Sequence, residues 1–171
     1  EVTHSLSHFA ELAVAHALTF IRQDLQARFG VPWSDTTNSE MPMMVVGMGK
    51  LGGLELNLSS DIDLIFLYEH EGETRDGPKS LSNHEWFTRM GKRLIRLLSE
   101  HDANGFVFRV DMRLRPNGDS GPLVCSLDML EEYLLVQGRE WERYAWIKGR
   151  LIAPLPDARD YAHCEKSLEQ L

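Results

Sequence analysis

Two neighbouring stretches decide how this chain folds: Gly47-Met48-Gly49-Lys50-Leu51-Gly52-Gly53 and, after a short spacer, Ser59-Ser60-Asp61-Ile62-Asp63-Leu64-Ile65-Phe66-Leu67-Tyr68. Met43 to Val46, just ahead, is a short apolar run of the kind that forms a buried strand, and the second stretch reads as another strand entered through serines. Gly47 to Gly52 fits G-x-G-x-x-G, which after a strand points to a dinucleotide fold. The spacing argues against it. Only residues 53–60 separate Gly52 from the next strand, and a crossover helix needs roughly 10–12 residues. A P-loop fails too, because Gly49-Lys50 is followed by Leu51 and not by Ser or Thr. Two readings stay open: a tight turn or helix contact that uses four glycines, or a glycine turn that serves the acids after it.

On a strand, Asp61 and Asp63 leave the same face with Cβ atoms ~7 Å apart. Like charges so placed repel unless a cation lies between them. Ile62 and Leu64 to Leu67 mark this strand as buried, and buried acids must be paired or bind metal. A third acid, Asp111, lies in residues 106–115, where Phe106, Phe108, Val110, Met112 and Leu114 alternate with Val107, Arg109, Asp111, Arg113 and Arg115. That alternation predicts a half-buried strand with a polar face. Adjacent strands would bring three carboxylates together, an oxygen donor set suited to Mg²⁺. Two such ions ~3.5–4 Å apart can clamp an in-line phosphoryl displacement. The plainer alternative for Arg109 to Arg115 is a solvated face of alternating charge.

Outward from this centre, Leu6, Phe9, Ala13, Ala17, Phe20 and Ile21 predict a helix over about Ser5 to Phe29, stopped by Gly30 and Pro32. Residues 33–42 and 69–81 read as loops. Ser82 to Glu85 has the form of a capping box, followed by a helix that carries Trp86, Phe87, Met90, Leu94, Leu97 and Leu98. Pro122 to Cys125 reads as a short strand. Helices are expected over Leu127 to Val136 and about Arg139 to Ile152, with a weakly amphipathic helix at the end. This order favours an α+β fold, a small mixed sheet backed by helices. The expected division is a helical segment at 1–30, a core at 43–125 and a helical segment at 126–171.

The 171 residues include 43% hydrophobic and 26% charged side chains, which is ordinary globular composition. A net charge of −8 disfavours a general nucleic-acid binder, and no apolar run approaches the ~20 residues of a membrane span. No basic stretch with an apolar run opens the chain, so no secretory signal is expected. The start at Glu1 and the charged end read as a piece of something longer. Cys125 and Cys164 fit no metal spacing and no disulfide framework, so a reducing cytoplasmic setting is expected. His4, His8 and His16 read as an exposed helix face. Trp86, Trp141 and Trp146 are candidates to stack an adenine, with the core the default for Trp86.

Gly49 followed by Asp61-Ile62-Asp63 resembles the signature of the DNA polymerase β nucleotidyltransferase superfamily. Gly47 to Gly53, Asn57 to Phe66 and Phe108 to Pro116 resemble more closely the bifunctional glutamine synthetase adenylyltransferase/adenylyl-removing enzyme family. The likeness continues through Ser120 to Val124 and Arg139 to Ala145 and covers about residues 43–152. The family carries two such modules. Arg109 to Met112, Gly121-Pro122 and Arg143 to Lys148 look more like the amino-terminal, AMP-removing one. Leu54 departs from the Gly or polar residue expected there.

The resemblance implies a polymerase-β-like fold and phosphorolysis of adenylyl-tyrosine on glutamine synthetase, giving ADP. It implies that Asp61, Asp63 and Asp111 bind two ions, Mg²⁺ or Mn²⁺. Gly49, Lys50, Gly52, Gly53 and Ser60 would hold nucleotide phosphates, and Arg113 and Arg115 the attacking phosphate. An adenine nucleotide is then substrate or product, glutamine synthetase the partner, and the PII signal protein a regulator of the longer enzyme. Neither nucleic acid nor membrane is an expected partner. The rival readings are the forward, ATP-dependent adenylyltransferase and a noncatalytic module that binds a nucleotide or PII.

Overall fold

A computed structural model describes residues 1–171. The fold is α+β with six helices and two sheets. Helix α1 (Val2–Phe29) leads into a small antiparallel sheet of β1 (Val31–Ser34), β2 (Ser39–Glu40) and β5 (Thr74–Arg75), in the order β2-β1-β5. The main sheet contains β3 (Met44–Met48), β4 (Ile62–Tyr68), β6 (Val110–Asp111), β7 (Val124–Ser126) and β8 (Arg150–Ala153). Its order is β6-β4-β3-β8, with β7 also pairing with β4. Strands β3/β4 and β3/β8 are antiparallel, whereas β6 and β7 run parallel to β4. The expected mixed sheet is present.

Both faces of the central strands are buried, and β4 shows why. Ile62, Leu64, Phe66 and Tyr68 enter one hydrophobic core; Ile65 and Leu67 enter the other. This is the period of two that a strand imposes on its side chains. The first core lies under α1 and α3 (Asn83–Ser99), the second under α4 (Leu127–Val136) and α6 (Tyr161–Glu169). Ser82 caps α3 by accepting from the Glu85 amide at 3.1 Å, one half of the expected capping box; the Glu85 carboxylate pairs with Arg89 at 2.8 Å and does not return the bond. Trp86 is fully buried, and its indole donates to the Gly30 carbonyl at 3.1 Å. His4, His8 and His16 are exposed, also as expected. No helix is long and apolar enough to cross a membrane.

Four expectations need correction. The buried stripe of α1 is Ala10, Val14, Ala17, Leu18, Ile21 and Leu25, while Phe9 and Phe20 stay exposed. Residues 33–42 and 69–81 are not loop throughout, since they supply β2, β5 and the end of β1. Two-residue strands are too short to show a period. The long strand predicted over 106–115 shrinks to Val110–Asp111. The Asp111 carboxylate accepts from the Arg113 amide at 2.9 Å, and that local turn ends the strand. Finally, the segment 126–171 is not helical throughout. The helix expected over Arg139 to Ile152 is a short α5 (Glu140–Trp146), and residues 150–153 pair with β3 as the sheet edge.

Candidate active site

The acidic residues gather at one end of the main sheet. Asp63 lies near the start of β4, where its backbone is in register with Met48 on one side and Asp111 on the other. Side chains in register on neighbouring strands leave the same face. Asp61 stands just before β4 at the lip of the sheet. Its carboxylate is paired with the Arg109 guanidinium at 2.9 Å. Asp111 is gripped by Arg113, whose Nη2 lies 2.6 Å from Oδ2 and whose Nε lies 3.1 Å from Oδ1. Asp63, half-buried, has neither a hydrogen bond nor an ion pair to its side chain.

The electrostatics follow from this division. Burial first, and then the neighbouring Asp111 and Asp61 charges, push the Asp63 carboxyl up to about 6. Arg113 and Lys50 oppose the rise but do not cancel it. Asp111 moves the other way, held below the usual carboxylate range by the hydrogen bonds from Arg113. Asp63 is therefore the acid that feels both of the others. Yet no group of three His, Cys, Asp or Glu side chains is drawn together as a ready metal cage. Two of the three carboxylates face arginines instead. In donor chemistry alone, carboxylate oxygens suit a hard, oxygen-binding cation. Asp61, Asp63 and Asp111 are the side chains that would hold it.

The glycine turn packs directly on this centre as α2 (Gly49–Gly52). Gly49 has φ +54, and a Cβ there would lie 2.9 Å from Asp63 Oδ2. Any side chain would be strained and would press on the carboxylate. Gly52 serves packing: a Cβ would sit 2.1 Å from the Lys148 carbonyl oxygen. Gly53 meets no such restriction, and its amide already donates to the Gly49 carbonyl at 3.0 Å. Lys50 Nζ reaches Ser60 Oγ at 3.4 Å, so these two stand together at the mouth. Arg115 is turned into its own loop, donating to the Met112 carbonyl at 3.0 Å and lying 3.8 Å from Asp119.

A family model described as glutamate-ammonia ligase adenylyltransferase matches residues 1–166. The chain belongs to this adenylyltransferase family. Its relatives include proteins named bifunctional glutamine synthetase adenylyltransferase/adenylyl-removing enzyme. That of Ralstonia nicotianae is 58% identical over 171 residues, which cover 100% of this chain and 18% of the relative. That of Burkholderia mallei is 62% identical over 153 residues, covering 89% of this chain and 16% of the relative. The Nitrosomonas europaea protein is 51% identical over 154 residues, again 89% and 16%. The chain thus spans less than a fifth of the curated relatives it matches.

Two residues of this adenylyltransferase-family chain have roles that the sequence reading does not assign. Arg109 neutralises Asp61; the alternating pattern placed it near Asp111 without naming its partner. Arg150 donates to the carbonyls of Leu51 (3.1 Å) and Gly52 (3.2 Å) and pairs with Glu11 of α1. It ties the far end of the glycine turn to the first helix. The available signal is Glu11 itself, an acid set between Ala10 and Val14 of the apolar stripe of α1.

Proposed function

We propose that this chain is a metal-dependent nucleotidyltransferase module with a polymerase-β-like core, which removes AMP from an adenylyl-tyrosine of glutamine synthetase. Asp63 carries the reading. A half-buried carboxylate between two others, without a partner and with a positive-φ glycine against it, is costly for a protein that does not use it. The names of the relatives support the target and both directions of adenylyl transfer. The likeness of Arg109 to Met112 and Arg143 to Lys148 to the removing module favours that direction.

The reaction balances as a phosphorolysis. An oxygen of inorganic phosphate bonds to the α-phosphorus as the bond from that phosphorus to the phenolic oxygen breaks, leaving ADP and tyrosine. A phenol of pKa about 10 leaves without a strong general acid. Divalent cations held by Asp61, Asp63 and Asp111, Mg²⁺ or Mn²⁺, supply Lewis-acid stabilisation of charge on the reacting oxygens when bound. Arg113 is 74% exposed beyond its grip on Asp111, which leaves a guanidinium edge for the incoming phosphate. Lys50 and Ser60 offer an ammonium and a hydroxyl to the nucleotide phosphates. Gly49 lets the backbone come close to the same group. Arg115 has a lesser claim on phosphate, being committed to its loop. Glutamine synthetase is the proposed partner, and PII the proposed regulator of the longer protein.

The test is product analysis with adenylylated glutamine synthetase, phosphate and Mg²⁺. The removing module forms ADP, and Asp63→Asn abolishes it. Consumption of ATP with release of pyrophosphate, and no ADP from the adenylylated protein, would assign the forward reaction instead. Turnover unchanged in Asp63→Asn removes both catalytic readings.

A further inference from the structure

The face of the sheet that carries Asp63 also carries a cavity. Along β4, even-numbered side chains enter the core under α1 and α3, and Ile65 and Leu67 enter the opposite one. By the same alternation Asp63 belongs to the side of α4, α5 and α6. There a space of about 660 Å³ opens between Gly49, Leu114 and one face of α5 with the turn after it, including Trp141, Tyr144, Ile147 and Lys148. Gly49 is its link to the acids, because the same residue walls the cavity and abuts Asp63 Oδ2.

The lining is unusual for a solvated helix. Trp141 is 53% exposed, and Tyr144 and Ile147 are each 74% exposed. Trp141 and Tyr144 are three residues apart, so they stand on one face of α5. Neither ring packs against another aromatic ring. The only cation at this wall, Lys148, is drawn to Glu55 at 3.6 Å. A mainly apolar, aromatic wall of this size suits a flat heteroaromatic ring and not a phosphate.

We propose that this cavity receives the adenine base, with Trp141 and Tyr144 as its stacking surfaces and the phosphates running past Gly49 to Asp63. The proposal rests on the nucleotidyltransferase reading above and adds the base-recognition site to it. Stacking needs only the π-face of the base, which explains a wall without a set of fixed hydrogen-bond donors.

The experiment is photolabelling of the intact protein with 2-azido-ADP in the presence of Mg²⁺, followed by tryptic peptide mapping. Label is expected on the peptides Glu140 to Arg143 or Tyr144 to Lys148, with protection by ADP and by adenosine. In Trp141→Ala the ADP concentration that halves labelling rises about tenfold, and Trp141→Phe recovers most of the loss. Tyr144→Ala, at an exposed position, gives a second loss in the same direction, and circular dichroism identical to wild type accompanies each variant. Label confined to other peptides, or protection by ADP that neither alanine variant weakens, overturns the pocket. Activity of Asp63→Asn, measured alongside, separates the two readings. An inactive Asp63→Asn with label elsewhere removes the pocket alone, whereas an active one removes the catalytic reading even when α5 is labelled.

Discussion

Asp63 concentrates the tension between stability and function in one side chain. Its carboxyl is pushed up to about 6 by burial and by the Asp111 and Asp61 charges, against an ordinary value near 4. The folded state therefore holds this proton more tightly than the unfolded chain. The stabilisation that the proton brings is complete below about pH 4 and is lost as pH rises through about 6. Asp63→Asn removes that dependence. The variant is expected to melt higher than wild type at pH 7.5 without divalent cations, to converge with it near pH 4, and to be inactive at both. Melting curves across pH check the first part; a variant less stable than wild type at pH 7.5 would show that the carboxylate is not under strain. Gly49→Ala tests the contact from the other side. It places a methyl 2.9 Å from Asp63 Oδ2 at φ +54. The backbone cost is about 1 kcal/mol, so the protein is expected to stay folded while ADP formation falls about a hundredfold from misplacement of the carboxylate. Activity equal to wild type would mean that Asp63 need not stand where it does.

Elements were legible in proportion to how far their own residues determine them. β4 could be read because a continuous apolar run interrupted by Asp63 is a buried strand with a reason for its acid. Helix α3 could be read from Ser82 and from the stripe of Trp86, Phe87, Met90, Leu94 and Leu98, although Leu97, expected with them, is exposed. The 106–115 segment misled because its alternation continues past the turn that the Asp111 carboxylate makes with the Arg113 amide, and a side-chain hydrogen bond leaves no periodic trace. β8 was hidden because four residues after a short helix acquire strand geometry from pairing with β3, which is distant in sequence. Yet β8 supplies Arg150, and through it α1 reaches the glycine turn. Glu11 is nearly buried, so removing its guanidinium partner leaves a desolvated charge. Arg150→Ala is expected to cost about 2 kcal/mol in urea denaturation, discounted from a fully buried pair because Arg150 is 31% exposed. A double-mutant cycle with Glu11→Gln should show positive coupling of about 1 kcal/mol. Additive losses would mean that the two side chains are neighbours without being partners.

At the scale of the whole molecule, the candidate site reverses the usual relation between a charged centre and its fold. The chain carries a net charge of −8, and three of its acids sit at the end of one sheet with two arginines shared between Asp61 and Asp111. The sequence offered Asp61 and Asp63 through their spacing and left Asp111 conditional on a neighbouring strand; the register that sets Asp111 beside Asp63 comes from the parallel pairing of β4 and β6. The sequence could not reveal which acid would be left without an arginine, because that depends on rotamers and not on spacing. On the proposed metal reading, an uncompensated acid would make the native state a better cation ligand than the unfolded chain, in which the same carboxylates are far apart. Binding to the native state alone raises stability by about 2.7 kcal/mol at a hundred times the dissociation constant. For a chain of this size that corresponds to a rise of about 5–10 °C in melting temperature. Mg²⁺ or Mn²⁺ at pH 7.5 is therefore expected to raise the melting temperature on this scale, and chelation to reverse it. The rise should shrink as pH falls below about 6, where Asp63 takes up a proton in place of the metal. Asp63→Asn should lose most of the rise, whereas Arg109→Gln should keep or enlarge it, because Asp61 is then freed from its guanidinium. A melting temperature indifferent to both cations at pH 7.5 would show that arginines, and not metals, complete this cluster of acids.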